Sequence, residues 1–293
     1  MQFAWDATSL DSAQRCMRYY YYTMIRGVKK KETNVHLLFG GIYASALEQF
    51  YKLRAKGATI EEALRVIVKE AMVASWDKEN DKPYQFDHAA KTRPNLIRTI
   101  IWYIEEFGEE DDSGFTTYHK QNGEPAVELS FAIELSDDIV YCGHLDRVVQ
   151  MAGKSYVMDQ KTTGGTIGPY YFDTFNPNNQ MSGYALAGQM ILQTPVKGVV
   201  IDAAQIAVNF TRFERGVTLR TKDQLEEWLD NTIKFINKAR EWTRAEYFPM
   251  NPNNCGNYGG CPFRIVCSRS PSLRDNFLKS DFTEHFWDPL KER

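Results

Sequence analysis

Three charged residues at strand spacing carry the first chemical signal in this chain. Asp159 and Lys161 stand two apart in Ser155-Tyr-Val-Met-Asp-Gln-Lys161, and Asp146 closes Gly143-His-Leu-Asp146. Side chains two apart on a strand share a face, so Asp159 and Lys161 point the same way. Asp146, on a neighbouring strand, can be directed at the same spot. Two carboxylates and an ammonium converging on a point make a divalent-metal site with a cation beside it, which is the chemistry of phosphodiester cleavage. A metal between carboxylates neutralises anionic oxygens and lowers the pKa of a bound water. Mg²⁺ suits the role because it prefers oxygen ligands and retains waters. On this reading Asp146 and Asp159 are metal ligands, and the backbone carbonyl of Gln160 can also reach the metal. Lys161 stabilises the pentacoordinate phosphate or helps position the attacking water. Gln180 and Tyr184 hold substrate phosphate or lock Lys161 in place, and Glu48 is the candidate for an outer ligand.

These residues need a hairpin and a helix behind it. Tyr141 to Lys161 has apolar and β-branched residues on both sides of Met151-Ala-Gly-Lys154, a turn-like break. Val127 to Leu135 alternates as a further strand. Thr162 to Asn179 is a loop rich in Gly, Thr and Asn, where a substrate-binding segment is expected. Gln180 to Leu192 reads as a helix that puts Gln180 and Tyr184 on one face. Gly198 to Asn209 is a buried strand, Thr218 to Arg220 a short edge, and Thr221 to Glu246 a long helix. Upstream, residues 7 to 22 look helical, with Thr8 or Ser9 as cap and the tyrosines as packing residues. Lys29-Lys30-Lys31 is read as a solvated loop. Val35 to Ala55 is a strong helical pattern. Its paired Gly40 and Gly41 are each unfavourable by about 1 kcal/mol and suggest close approach of a backbone or ligand. Thr59 to Trp76 is amphipathic, Asp77 to Asp87 polar and loop-like, His88 to Phe107 a helix interrupted by Pro94, and Glu109 to Ser113 an acidic loop. The order predicts an α/β or mixed α+β fold, a central mixed sheet flanked by helices. The expected organisation is one domain over 1–293: N-terminal helices (1–55), a helical insertion (56–115), a core (127–246), a Cys-rich loop (247–270) and a tail (271–293).

Hydrophobic content of 43% supports a real core, and the net charge of −3 gives no global basic field. Nucleic-acid binding would need a local basic groove. The N-terminus lacks a basic region followed by an apolar run, so no signal peptide is expected, and no stretch reaches membrane-span length. The expected location is the cytoplasm. There, five cysteines argue for metal or redox chemistry over disulfides. Cys255, Cys261 and Cys267 recur at equal separations among Gly, Pro and Asn. Three thiolates leave a tetrahedral or cubane centre one ligand short. Cys16 is the better fourth ligand, since Cys142 sits in the strand of the charged site.

Gly143-His-Leu-Asp146, Asp159-Gln-Lys161 and Gln180-Met-Ser-Gly-Tyr184 resemble the ordered motifs of the PD-(D/E)XK nuclease superfamily, in its RecB-like branch. Cys16 with the cluster Cys255, Cys261 and Cys267 is similar to the split signature of RecB-like exonucleases that carry a 4Fe–4S cluster, among them AddB-type domains, CRISPR-associated adaptation nucleases and phage relatives. The resemblance implies a restriction-endonuclease-like core and a Mg²⁺- or Mn²⁺-dependent deoxyribonuclease, an exonuclease acting on DNA ends or single strands in phage or bacterial recombination and repair. It implies DNA as partner, beside a recombinase, helicase or other phage or CRISPR protein, in the cytoplasm of the host bacterium where the gene is a phage's. The cluster is then structural, with Zn²⁺ the alternative at the four cysteines. The branch carries Gly-x-x-x-His-x-x-Leu-Glu on its second helix, with the His as metal ligand. Here Ala44 stands at the His position between Gly40 and Glu48. His144 is expected to face away from Leu145 and is not assigned as a ligand. Two rival readings remain: a catalytically impaired DNA-binding or scaffold protein of the same fold, and a Cys-rich domain that only packs a metal.

Overall fold

The hairpin becomes two long strands of a mixed sheet in the computed structural model, which describes residues 2–31, 34–84, 88–110 and 114–291. The acidic loop at Glu109 to Ser113 and the polar loop at Asp77 to Asp87 therefore lie partly outside the described residues. The first elements are β1 (Ala4–Trp5), α1 (Ala7–Arg15), α2 (Met17–Tyr20), β2 (Val28–Lys30), α3 (Val35–Ala55) and α4 (Ile60–Ala74). Then come β3 (Trp76–Asp77), β4 (Lys82–Pro83), α5 (Arg93–Phe107), β5 (Thr116–Thr117), β6 (Val127–Ser136), β7 (Ile139–Met151) and β8 (Lys154–Thr163). The remainder is α6 (Pro169–Asp173), α7 (Asn179–Leu192), β9 (Val196–Ile206), β10 (Thr211–Leu219), α8 (Lys222–Arg244), α9 (Arg264–Cys267), α10 (Arg274–Asp281) and β11 (Phe282–Glu284). The chain divides into two compact units. One comprises residues 1–33, 132–143 and 222–293, and the other 34–131 and 144–221.

In the second unit β7 runs antiparallel to β8, β8 parallel to β9, and β9 antiparallel to β10. A parallel pair needs a crossover, and α6 and α7 supply it. Helix α7 lies on the face of β8 that carries Val157: a Cβ on Gly188 would come within 2.9 Å of Val157 Cγ2. By strand alternation Asp159 and Lys161 share that face. On the opposite face α3, α4 and α5 bury Phe39, Leu47, Phe50, Ile67, Leu96 and Ile100 with Ala204 and Ile206 of β9. The α4 start is a capping box between Thr59 and Glu62, which satisfies helix-end N–H groups.

The first unit is held by aromatic packing. Trp5 stacks on Tyr20 at 5.4 Å, and Phe263 meets Tyr19, Tyr22 and Phe282. Tyr141 stands edge-on to Trp228 of α8. Several boundaries differ from expectation. The helix expected over 7 to 22 is broken at Cys16, whose backbone is extended (φ −171°) between α1 and α2. Its cap is Asp6, in a capping box with Ser9, rather than Thr8 or Ser9 alone. The lysine loop is a strand: Lys29 and Lys30 in β2 pair with Thr283 and Phe282 of β11. Pro94 does not interrupt a helix. It sits in the first turn of α5 behind the cap Thr92, where its missing N–H costs nothing. The edge at Thr218 to Arg220 extends back to Thr211 as β10.

The helix-covered face also holds a polar network that sequence patterning does not show. Arg215 Nε donates to Asp202 Oδ1 at 3.1 Å, with both side chains buried. Tyr103 donates to the other oxygen of Asp202, and the Arg215 guanidinium lies 3.7 Å from the Phe107 ring centre. Removing one partner of a buried pair leaves the other uncompensated, at a cost of about 3–5 kcal/mol. Asp202→Ala is therefore expected to lower the free energy of unfolding by about that amount, with Asp202→Asn milder. Urea denaturation checks this, and a variant with the parent's midpoint contradicts it.

Candidate active site

The β7–β8 ladder descends to Met151 opposite Lys154 at the turn and rises to Arg147 opposite Met158. The next opposed positions are Asp146 and Asp159, and opposed residues of an antiparallel pair share a face. The strands splay there. Gln160 N–H donates to Asp146 Oδ2 at 2.9 Å, pinning that carboxylate across the gap. Asp146 lies inside a thirteen-residue strand rather than at its end. Arg147 turns to the other face, where it is buried against the Tyr51 ring at 3.7 Å and reaches Glu110 Oε1 at 3.4 Å.

A continuous chain of polar contacts leads from the carboxylates to α7. Asp159 Oδ2 lies 2.6 Å from Lys161 Nζ. Lys161 Nζ donates to Gln180 Oε1 at 3.0 Å, and Gln180 Nε2 donates to Tyr184 OH at 3.1 Å. The ammonium has only donors, so it is Lys161 that turns the amide oxygen of Gln180 toward itself. Asn178 caps α7 by accepting from Met181 N. The buried face of the helix includes Ser182, Gly183, Ala185, Ala187 and Gly188, and such small residues let its axis approach the strands. Arg220, not singled out from the sequence, clamps this region. It donates to Ser182 Oγ at 2.9 Å and to Phe175 O at 2.7 Å, tying the loop before α7 to the helix.

Charge in this site is unbalanced. Burial and then the charge of Asp159 raise Asp146 to about 7, with Lys161 and the Gln160 N–H opposing. Burial also raises Asp159, against the pull of Lys161. Burial weakens the Lys161 ammonium, but Asp159 and Asp146 outweigh it and hold the proton more tightly than usual. A buried carboxylate, Asp159, and a half-buried one, Asp146, facing one ammonium leave negative charge that a divalent cation would neutralise. The donor set, two carboxylates with the Gln160 carbonyl directly after Asp159, is hard oxygen of the kind Mg²⁺ and Mn²⁺ take. Among the described residues no group of three or more His, Cys, Asp and Glu is arranged to hold a metal ion, so side chains alone do not complete a shell.

Glu48 is not in this chain of contacts. Its carboxylate meets Lys52 Nζ one helical turn on, at 2.5 Å. Ala44 is half-buried on the same helix. His144 shares strand parity with Asp146, and its Nδ1 lies 3.0 Å from Ser130 Oγ and 3.7 Å from Glu128 Oε1. Glu128, which no sequence pattern flagged, has φ +49° and adds a small repulsion at Asp146.

Four of the cysteines line one cavity of about 320 Å³ in the first unit: Cys16, Cys255, Cys261 and Cys267. Cys16 Sγ accepts from Asn251 N at 3.3 Å, which its extended backbone at the helix break permits. Burial raises the thiols of Cys261 and Cys267, and each feels the charge of Cys16. Cys142 sits elsewhere, its Sγ 3.4–3.5 Å from Pro289 O and Trp5 O, and burial pushes it up to about 12.

A family model described as the PD-(D/E)XK nuclease superfamily matches residues 4–268. The chain belongs to this superfamily. The match does not single out the iron–sulphur branch. Its fold resembles the crystal structure of a "Putative exonuclease" from Eubacterium rectale, with a TM-score of 0.52, 11% identity, and 86% of this chain and 85% of that one covered. A weaker likeness, to SSO0001, has a TM-score of 0.36 at 11% identity over 92% of this chain and 87% of that one. No curated protein matches. Both identities are low enough that they speak to fold alone, and only the first TM-score carries weight. As a member of this superfamily the chain is a nuclease by family, and residues 146, 159 and 161 lie within the matched span. No helix among the described residues is long and apolar enough to cross a membrane.

The raised carboxylate sets a pH test. A proton on Asp146 competes with metal, so metal affinity should climb as pH rises toward and through about 7. For one displaced proton the gain approaches about tenfold per pH unit below that point. Without metal the sign reverses for stability. A folded-state pKa above the unfolded value means the native state holds more protons, so stability falls as pH rises from the ordinary carboxylate range toward 7. Calorimetric Mn²⁺ titrations and urea midpoints in chelator, at pH 5.5 to 8, read both, and Asp146→Asn should flatten both.

Proposed function

We propose that this nuclease is a Mg²⁺- or Mn²⁺-dependent deoxyribonuclease cutting from DNA ends, with Asp146, Asp159, Lys161, Gln180 and Tyr184 as its working residues. The observation that carries this reading is the unbroken contact chain from Asp159 through Lys161 and Gln180 to Tyr184, set beside a second, half-buried carboxylate. Asp146, Asp159 and the Gln160 carbonyl would hold the metal, which when bound supplies charge neutralisation at the phosphate and a more acidic water. Lys161 keeps its proton and offers a fixed positive charge to oxygens that gain charge as the phosphate becomes pentacoordinate. Asp159 holds it from one side and Gln180 from the other, so little rearrangement is needed when that charge develops. Tyr184 OH accepts from Gln180 Nε2 and holds the amide against the ammonium. Exonuclease action draws support from the fold likeness to the Eubacterium rectale protein.

We also propose a 4Fe–4S cluster for the four-cysteine cavity, with Zn²⁺ as the rival occupant; its thiols would have to draw together, since among the described residues no Cys group is already arranged around an ion. Support comes from the thiols' shared cavity and from the helix break that turns Cys16 into it. The group would fasten α1 to the loop before α9, and so act structurally.

Asp159→Ala and Lys161→Ala are each expected to lower cleavage at least about a hundredfold while circular dichroism keeps the parent's spectrum. Linear end-labelled and circular DNA, with Mg²⁺, Mn²⁺ or chelator, form the assay. Parent-level cleavage by either variant removes the assignment, and cutting of circular DNA removes the end-directed part. Ala44, where the branch has a ligand histidine, favours one second reading, a DNA-binding protein of this fold with impaired chemistry. Metal binding without cleavage of any DNA form would select it. For the cysteines, anaerobically purified protein should be brown and Cys16→Ser should lose the colour. Colourless protein with stoichiometric zinc replaces iron–sulphur by zinc.

A further inference from the structure

A second cation lies against the residue that follows Lys161. Thr162 alternates to the opposite face of β8, and its Oγ1 lies 3.4 Å from Lys91 Nζ. Lys91 is only 2% exposed, and its ammonium lies 5.5 Å from the Phe39 ring centre. Among the described residues its polar partner is thus a neutral hydroxyl, although an ammonium out of water asks for an anion. The burial itself weakens its hold on the proton.

Two imidazoles border this ammonium. His36, in the first turn of α3, stands edge-on to His88 at 5.1 Å. Burial, then the charges of Lys91 and His88, lower its pKa, so the charged groups acting on it are cations. His88 Nδ1 accepts the backbone N–H of Ala90 at 3.1 Å and of Lys91 at 2.9 Å. A neutral imidazole accepting at Nδ1 carries its proton on Nε2, so His88 presents a donor on its far side. The paired glycines open the approach. A Cβ on Gly40 would sit 3.4 Å from Thr162 Oγ1, while one on Gly41 would meet nothing within 4 Å. An ammonium, an Nε2 donor and a second imidazole beside uncrowded backbone are suited to a tetrahedral oxyanion.

We propose that Lys91, His36 and His88 form a phosphate-binding pocket for a nucleic-acid strand, seating a phosphate that neighbours the one presented to Lys161. The placement rests on the nuclease reading: Thr162 directly follows Lys161 near the end of β8, so a strand passing over that end would meet Lys161 on one face and Lys91 on the other. It also supplies local positive charge that a chain of net charge −3 does not offer globally.

The test is anisotropy of a fluorescein-labelled single-stranded oligonucleotide in chelator, titrated with salt, for the parent, Lys91→Met and His36→Ala. The parent should bind. Lys91→Met should weaken binding at least fivefold and reduce the salt slope by about 0.7, the value for one lost phosphate contact on a single strand. His36→Ala, on an exposed turn, should weaken binding less and guards against a misfolded Lys91 variant. Inorganic phosphate should compete with the oligonucleotide on the parent. The parent's affinity and slope in both variants overturns the pocket, as does phosphate binding by a parent that does not hold the oligonucleotide. Adding Mn²⁺ to the same samples separates the two readings. A parent that cleaves, with Lys91→Met at the parent's KM, sinks the pocket and leaves the nuclease. Strand binding through Lys91 with no cleavage does the reverse.

Discussion

Two carboxylates opposed across neighbouring strands, with one ammonium between them and solvent, are the constraint around which the second unit is built. Asp146 and Asp159 share a face because β7 and β8 pair in one register, and a slip of one residue would send one of them to the other side of the sheet. Burial raises both carboxyls and mutual repulsion lifts Asp146 further. The strands tolerate the strain through a backbone N–H on Asp146 and an ion pair on Asp159. What remains is a site short of positive charge, which is a useful state for a protein that must bring a cation and a phosphate together.

The scaffold answers that constraint on both faces. Helix α7 comes close enough for Gln180 to reach Lys161 because its buried side is small, down to Gly188 against Val157. Arg220 then ties the preceding loop to it. On the opposite face Arg147 and Arg215 are each buried against an aromatic ring and an acid. Buried ion pairs of this kind add less stability than their charge suggests, because desolvation offsets attraction. Their planar geometry does fix how the strands sit under α3 and α5. The first unit works by different means, through stacked aromatic rings and a cavity lined by four thiols.

Much of this could be read from local chemistry. The hairpin, the helix over 35–55, the crossover helix and the alternation around Asp159 follow from periodicity, which depends on neighbours a few residues away. So does the shared face of Gln180 and Tyr184. The spacing of the cysteines was equally plain, although which four line a cavity is a matter of fold. Other features were misread for physical reasons. The lysines at 29 and 30 form a strand because Phe282 and Thr283 lie alongside, a partner more than 250 residues away. Helical propensity runs straight through Cys16, and only the contact with Asn251 shows why the backbone breaks there.

The amino-acid order by itself determined the mixed fold and the motif residues, because strand and helix periods and an Asp-x-Lys triplet are local properties. Tertiary structure decided which charges face one another. It carried Arg147 away from Asp146, engaged Glu48 with Lys52, and turned His144 toward Ser130 and Glu128. It buried Lys91 beside Thr162, 71 residues distant. Desolvation and Coulomb interaction depend on distances in space, so no spacing along the chain could have announced these arrangements.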